Sequence, residues 1–215
     1  MSIGKINSSY KNVTNLAEYL NMPIVTAAGH GDAVPHDHKL HAGQMGPRWN
    51  PVATNLVKKA DVLVENFRPG VMDKLGLGFN SLKEINNRLI YAAISGFGNP
   101  QFGKSPYVYW PSYDVVAQAM GGIIGITGPD KNTPTKVGPG VGDIFSGLMM
   151  SFGIISALRM TEKTSKGQFI DLSMYDAVLS LCERIIYQYD FDKSIPKPEG
   201  NGHPLLVPFG VYKLS

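Results

Sequence analysis

Two short apolar runs with a helical segment between them constrain this chain more than any other feature. Residues 60–64 (ADVLV) and 89–94 (LIYAAI) are rich in β-branched and apolar residues, and each is closed by a turn, ENFRPG over 65–70 and SGFG over 95–98. Between them, residues 81–86 (SLKEIN) carry Ser81 with Glu84 three positions on, a capping-box pattern that predicts Ser81 as a helix N-cap. Strand, helix and strand at this spacing predict two buried parallel strands in an α/β layer, with ligands held beyond their carboxyl ends.

The composition agrees with a packed domain. At 215 residues and 43% hydrophobic, the chain can supply a sizeable core. Its net charge of +3 is spread along the sequence, without the block of Lys and Arg that marks a nucleic-acid arm. The single cysteine, Cys182, excludes an internal disulfide, and the first residues lack the charged-then-apolar order of a secretory leader, so a reduced, cytoplasmic protein is expected. No run approaches the roughly 18 uninterrupted apolar residues of a membrane span. The longest candidate, residues 144–160, is broken by Ser146, Gly147, Ser151, Gly153, Ser156 and Arg159 and reads as a buried core helix.

Residues 1–54 form the least regular part. A helix is expected over 12–20, and residues 29–50 mix Gly, His, Pro and Asp without a period. His30, His36, His38 and His41 stand there with Asp32 and Asp37, and the spacing of the last three histidines could offer imidazoles to Zn or Cu. A structural metal site also needs ordered partners behind its ligands, so a polar loop is the preferred reading and no metal is expected.

From residue 55 to 193 the pattern is that of one α/β core, followed by an irregular, proline-rich tail over 194–215. After the first strand, Asn66, Phe67 and Arg68, followed by Met72 and Lys74, supply an amide, an aromatic face and two cations, a set suited to an adenine nucleotide's base and phosphates. A solvated Arg beside a core Phe is the plainer alternative. After the second strand, Gly96 and Phe97 form a turn that lets a ligand approach the backbone closely, although an ordinary turn needs glycine too. Tyr113 opens a predicted helix over 113–121.

Residues 137–142 (VGPGVG) then lead into the long apolar run, which places Asp143 near the first turn of a helix. The helix macrodipole favours an ionised carboxylate there by about 0.3–1 kcal/mol, as a carboxylate nucleophile requires. An N-cap aspartate fits the same position. A turn over 163–167, a strand over 168–172 and a helix over 174–189 capped by Ser173 complete the pattern. Asp171 and Asp176 take strand-edge and capping roles, and no second acid is paired with Asp143 by sequence spacing.

Five blocks in order, ADVLVENFRPGVMDKLGLG, LIYAAISGFG, SYDVVAQAMGG, GVGDIFSGLMMSFGIISAL and TSKGQFIDLSMYDAVLSL, resemble the class III CoA-transferase (CaiB/BaiF-like) family, whose members include formyl-CoA:oxalate CoA-transferase. The resemblance covers residues 55–209, and the family is about twice as long as this chain. It implies a Rossmann-like parallel sheet with flanking helices, part of the large domain of an interlocked dimer. It also implies coenzyme A, as acyl-CoA, for a substrate and a free carboxylic acid as acceptor. By this resemblance Asp143 matches the catalytic aspartate, Asn66, Phe67 and Arg68 the segment that contacts CoA, Lys74 a further basic contact and Tyr113 an active-site tyrosine.

The implied mechanism passes CoA through an aspartyl-CoA thioester on Asp143. A racemase branch of the family places histidine where this chain has Tyr113; a phenol of ordinary pKa about 10 is a poor general base, so transfer is the better reading. The family closes its site with a glycine-rich loop that residues 205–215 do not supply. An incomplete, non-catalytic CoA-binding or oligomerising module is therefore the alternative.

Overall fold

The computed structural model describes residues 9–26, 34–44, 55, 59–203 and 206–212. The chain forms two compact units, residues 1–61 with 73–87, and residues 62–72 with 88–215.

In the first unit, helix α1 (Ser9–Leu20) precedes two short strands, β1 (Ile24–Thr26) and β2 (His41–Gln44), which pair in parallel with an irregularity between Ile24 and Thr26. His36 and His38 fall in the turn before β2, where the His38 ring is used structurally. Its Nδ1 accepts from Leu40 N at 3.3 Å and its Nε2 lies 3.2 Å from the Glu18 carboxylate. His30 and Asp32 lie outside the described residues.

Helix α3 (Phe79–Ile85) corrects the capping-box expectation, because it begins two residues before Ser81 and its N-cap is Gly78, with no side-chain cap. Burial of Leu77 and Leu82 decides the start: both are at most 2% exposed, and the extended backbone at Gly78 joins them. Asn86 ends the helix and donates from Nδ2 to Ala60 O at 3.1 Å.

The second unit is built on a parallel sheet in the order β3 (Val62–Glu65), β4 (Ile90–Ser95), β5 (Phe169–Ser173). Val62 pairs with Ile90 and Tyr91 with Phe169. The central strand is almost wholly buried, as its uninterrupted apolar sequence requires, and its fully buried Ile90 and Tyr91 each contribute on the order of 1.5–3 kcal/mol. Gly167 lets the chain enter β5 because a Cβ there would collide with the Leu89 carbonyl. Between β3 and α3 the chain forms the short α2 (Val71–Lys74), within which the unit boundary falls.

Helices α4 (Asp114–Met120), α5 (Ile123–Ile126), α6 (Val141–Thr164), α7 (Met174–Leu181) and α8 (Glu183–Asp192) complete the unit. Ala117 of α4 packs with Met174 and Val178 of α7, joined by Ile94 and Ile123. The helix expected over 174–189 is interrupted at Cys182, whose φ of −108° and ψ of 26° separate α7 from α8, while the Ser173 cap holds, its Oγ accepting from Asp176 N.

Helix α6 is the longest element at 24 residues, and by length and hydropathy it could span a bilayer. It instead lies against β4, β5, α4 and α7 through Gly142, Ser146, Met150, Ala157 and Thr161, spaced four or seven apart along one face. Small residues let it approach the sheet, with Gly153 over Ile170. The expectation of a buried core helix is corrected on its other face, where Ile144, Leu148, Phe152 and Ile155 remain exposed. No described residue of the chain covers that apolar stripe.

Candidate active site

The carboxyl ends of the three strands open on one cleft of about 570 Å³ within the second unit. Asn66, Phe67 and Arg68 follow β3, Gly96 follows β4, Tyr113 stands before α4 and Asp143 lies in the first turn of α6; all line this cleft. Residues up to 77 positions apart in sequence thus meet because parallel strands deliver their ends to the same side.

Each wall has a local cause. At the end of β3 the Phe67 amide donates to Glu65 Oε2 at 2.7 Å, and Val71 N donates to Arg68 O at 3.1 Å, which folds the chain back into α2. Gly96 passes so close to residue 112 that a Cβ would collide with the Ser112 side chain. Its carbonyl accepts from Tyr175 N at 3.1 Å and from Ser173 Oγ at 3.3 Å, tying the turn after β4 to the start of α7. The hydroxyls of Ser95 and Ser112, both in the cleft wall, are buried without a partner among the described residues.

Three predicted residues sit elsewhere. Phe97 turns away into a neighbouring cavity of about 640 Å³, buried beside Tyr107 and Tyr175. Met72 is buried in α2 and absent from the cleft lining, and Lys74 ends α2 and belongs to the first unit. Tyr113 is the N-cap residue of α4 and 74% exposed, so its ring is free to meet a ligand.

Asp143 is not the N-cap of α6. That position is Gly140, and among the described residues no protein donor reaches the Asp143 carboxylate. Its pKa lies above the ordinary 3.8, first through loss of hydration and then through the negative charge of Asp114. The helix start favours the ionised form of this acid, while desolvation and Asp114 act against it. No spacing rule pairs an acid with Asp143, but in space Asp114, 29 positions earlier, faces the same turn.

Asp114 and Gln118 are the residues that the sequence reading passed over. Asp114 Oδ1 accepts from Gly142 N at 2.8 Å and its Oδ2 from Gln118 Nε2 at 2.8 Å; Gln118 Oε1 accepts from Val137 N at 3.0 Å. Two hydrogen-bonding side chains four apart at a helix start, directly after Tyr113, are the signal that would have found them.

The sequence model of CoA-transferase family III matches residues 46–215. The chain belongs to CoA-transferase family III. Over 161 residues it is 46% identical to a succinyl-CoA:mesaconate CoA-transferase of Haloarcula hispanica, covering 75% of this chain and 41% of that relative. Over 159 residues it is 44% identical to an acetyl-CoA:oxalate CoA-transferase of Acetobacter aceti, covering 74% and 40%. A crystal structure of a CAIB/BAIF family protein from Brucella suis superimposes with a TM-score of 0.71 at 38% identity, covering 80% of this chain and 45% of that one. The α/β class with its parallel sheet is therefore that of the family. The chain spans less than half the length of these relatives. A second model, that of the central domain of thiamine pyrophosphate enzymes, matches residues 4–65 and overlaps the first over 46–65.

Proposed function

We propose that this chain carries the CoA-binding and nucleophilic part of an enzyme that moves CoA from an acyl-CoA to a free carboxylic acid, with Asp143 as the nucleophile. One observation carries the reading: a carboxylate that accepts no hydrogen bond from the described residues shares a cleft with Asn66, Phe67, Arg68, Gly96 and Tyr113. Membership of the family supports the same chemistry.

Arg68 supplies a cation and a planar fork for CoA phosphate, Asn66 an amide, and Phe67, 38% exposed, a face for the adenine or the pantetheine arm. Gly96 keeps the backbone low where the thioester passes. One Asp143 oxygen attacks the thioester carbonyl, the C–S bond breaks, and a mixed anhydride and CoA thiolate result. The thiolate attacks the Asp143 carbonyl and expels the donor as its carboxylate, leaving CoA in thioester linkage to Asp143. The acceptor carboxylate then attacks that thioester, thiolate leaves and attacks the acceptor's acyl carbon, and Asp143 is regenerated. A raised pKa suits this role, because a more basic carboxylate is a stronger nucleophile once ionised. Each tetrahedral step also needs hydrogen-bond donors for its oxyanion, which the unsaturated cleft wall leaves room to supply.

Tyr113 stands in the cleft, and a phenol is a poor general base for proton transfer at a thioester α-carbon, so transfer is favoured over racemisation. The exposed apolar stripe of α6 supports a homodimer, and the single cysteine supports a cytoplasmic setting. The test is isotopic exchange between labelled free acid and its CoA thioester, run on the chain and on Asp143→Ala. Exchange by the parent above the variant is expected; equal rates overturn the reading and leave a CoA-binding module.

A further inference from the structure

Gln118 is wholly buried in α4, one turn after Tyr113, and does not line the cleft. A buried carboxamide brings donors and an acceptor that lose water on folding, at about 1–3 kcal/mol for any left unpaired. Here all of them serve the glycine turn that precedes Asp143. Oε1 accepts from Val137 N at 3.0 Å, while Nε2 donates to Asp114 Oδ2 at 2.8 Å and, at 3.4 Å, to Pro139 O. Asp114 carries the constraint to the far end of the turn, its Oδ1 accepting from Gly142 N at 2.8 Å. Both ends of residues 137–142 are thus tied to α4. A Cβ on Gly142 would stand 3.1 Å from Asp114 Oδ1, so glycine is what permits the close seat, and glycine is also what would leave the turn loose without these bonds.

We propose that Gln118 is a positioning residue, whose amide sets the donor and acceptor pattern that locks the turn 137–142 onto α4 and thereby aims the Asp143 carboxylate at the thioester carbonyl. This rests on Asp143 being the nucleophile. Gln118 acts through the turn alone: Asn66, Phe67 and Arg68, which hold CoA in this account, sit on a different element.

Three variants test it. Gln118→Glu sets a carboxylate against Asp114 and removes both donors. Asp114→Asn sets donor against donor, and flipping the Gln118 amide to relieve this would turn Nε2 against the Val137 N–H. The double variant again pairs an amide donor with a carboxylate acceptor, with the roles exchanged. Amide hydrogen exchange over residues 137–144 needs no substrate: Val137 and Gly142 should exchange at least about tenfold faster in each single variant and return to within about threefold of the parent in the double.

In turnover, each single variant should lose about 10- to 1000-fold in kcat with KM for acyl-CoA changed less than about threefold, and the double should regain at least about tenfold. Unchanged exchange in folded Gln118→Glu, a loss carried by KM, or no rescue in the double overturns the proposal. Should Gln118→Glu fail to fold, Asp114→Asn carries the same test at almost unchanged volume. A parent chain that transfers no CoA would remove the nucleophile reading, while hydrogen exchange would still decide whether Gln118 holds the turn.

Discussion

Asp143 and Asp171 stand in neighbouring cavities that share the turn after β4, and the fold treats them in opposite ways. Asp171, in β5, accepts from Asn99 N at 2.8 Å through Oδ2, while its Oδ1 is buried without a partner. Burial raises its pKa and Asp176 adds to the rise, with the Asn99 amide opposing. Asp143 is exposed and accepts from no described donor, yet its pKa is raised as well. One carboxylate anchors a loop and is closed in by it. The other is held out by a turn that is itself anchored. The upward shift therefore does not tell a reactive acid from a structural one; the missing donor and the open cleft do.

Replacing each acid should separate the two roles. The largest effect is on chemistry: Asp143→Ala should lower CoA transfer by at least about a thousandfold with the fold intact, because no other carboxylate lines the cleft among the described residues. If Asp171→Ala, shown to be folded, lost as much, the comparison would break. Asp171→Ala should instead lose about 1–3 kcal/mol in urea unfolding, since the Asn99 amide is left without its acceptor. Arg68→Ala should raise KM for acyl-CoA about tenfold with kcat within about threefold, as loss of one charged phosphate contact predicts.

The smallest effect is a pH dependence. Asp143 has a folded pKa above its unfolded value near 3.8, so folding disfavours its ionised form. That penalty is absent below the unfolded value, grows as pH rises through the interval up to the folded value, and is complete above it. Asp143→Asn removes it, and the variant should gain on the parent as pH rises through that interval, by about 0.2–1 kcal/mol given the screening of an exposed group. Parallel stability curves would contradict the unfavourable setting assigned to this acid.

Much of the second unit was legible because it obeys local rules. The two apolar runs became β3 and β4, the Ser173 cap formed with its predicted partner, and Asp143 fell in the first turn of a long helix. Where tertiary packing competes, the local rule lost: Leu77 and Leu82 moved a helix start away from Ser81, and Cys182 split one helix into two. In the first unit, residues 24–26 (IVT) are β-branched but only three long, and residues 41–44 (HAGQ) carry no β-branched position, so neither announces a parallel pair; its histidines read as a cluster although one is committed to Glu18.

For the cleft, sequence order placed the strand ends but not the direction of each side chain. Gly96 and Phe97 are adjacent and face different cavities, as alternation at a strand exit demands. The partner of Asp143 was invisible for a different reason. Asp114 meets it only through the backbone of a turn 28 residues away, a contact no spacing rule encodes.

The central claim, that Asp143 forms a covalent bond to CoA during transfer, is tested most directly by trapping. The chain is mixed with an acyl-CoA, quenched in acid, digested and weighed by mass spectrometry. The peptide that contains Asp143 should gain the mass of CoA, less water, and the same peptide of Asp143→Asn should gain none. An adduct on another residue, or transfer activity with no adduct at any time of quenching, would contradict it.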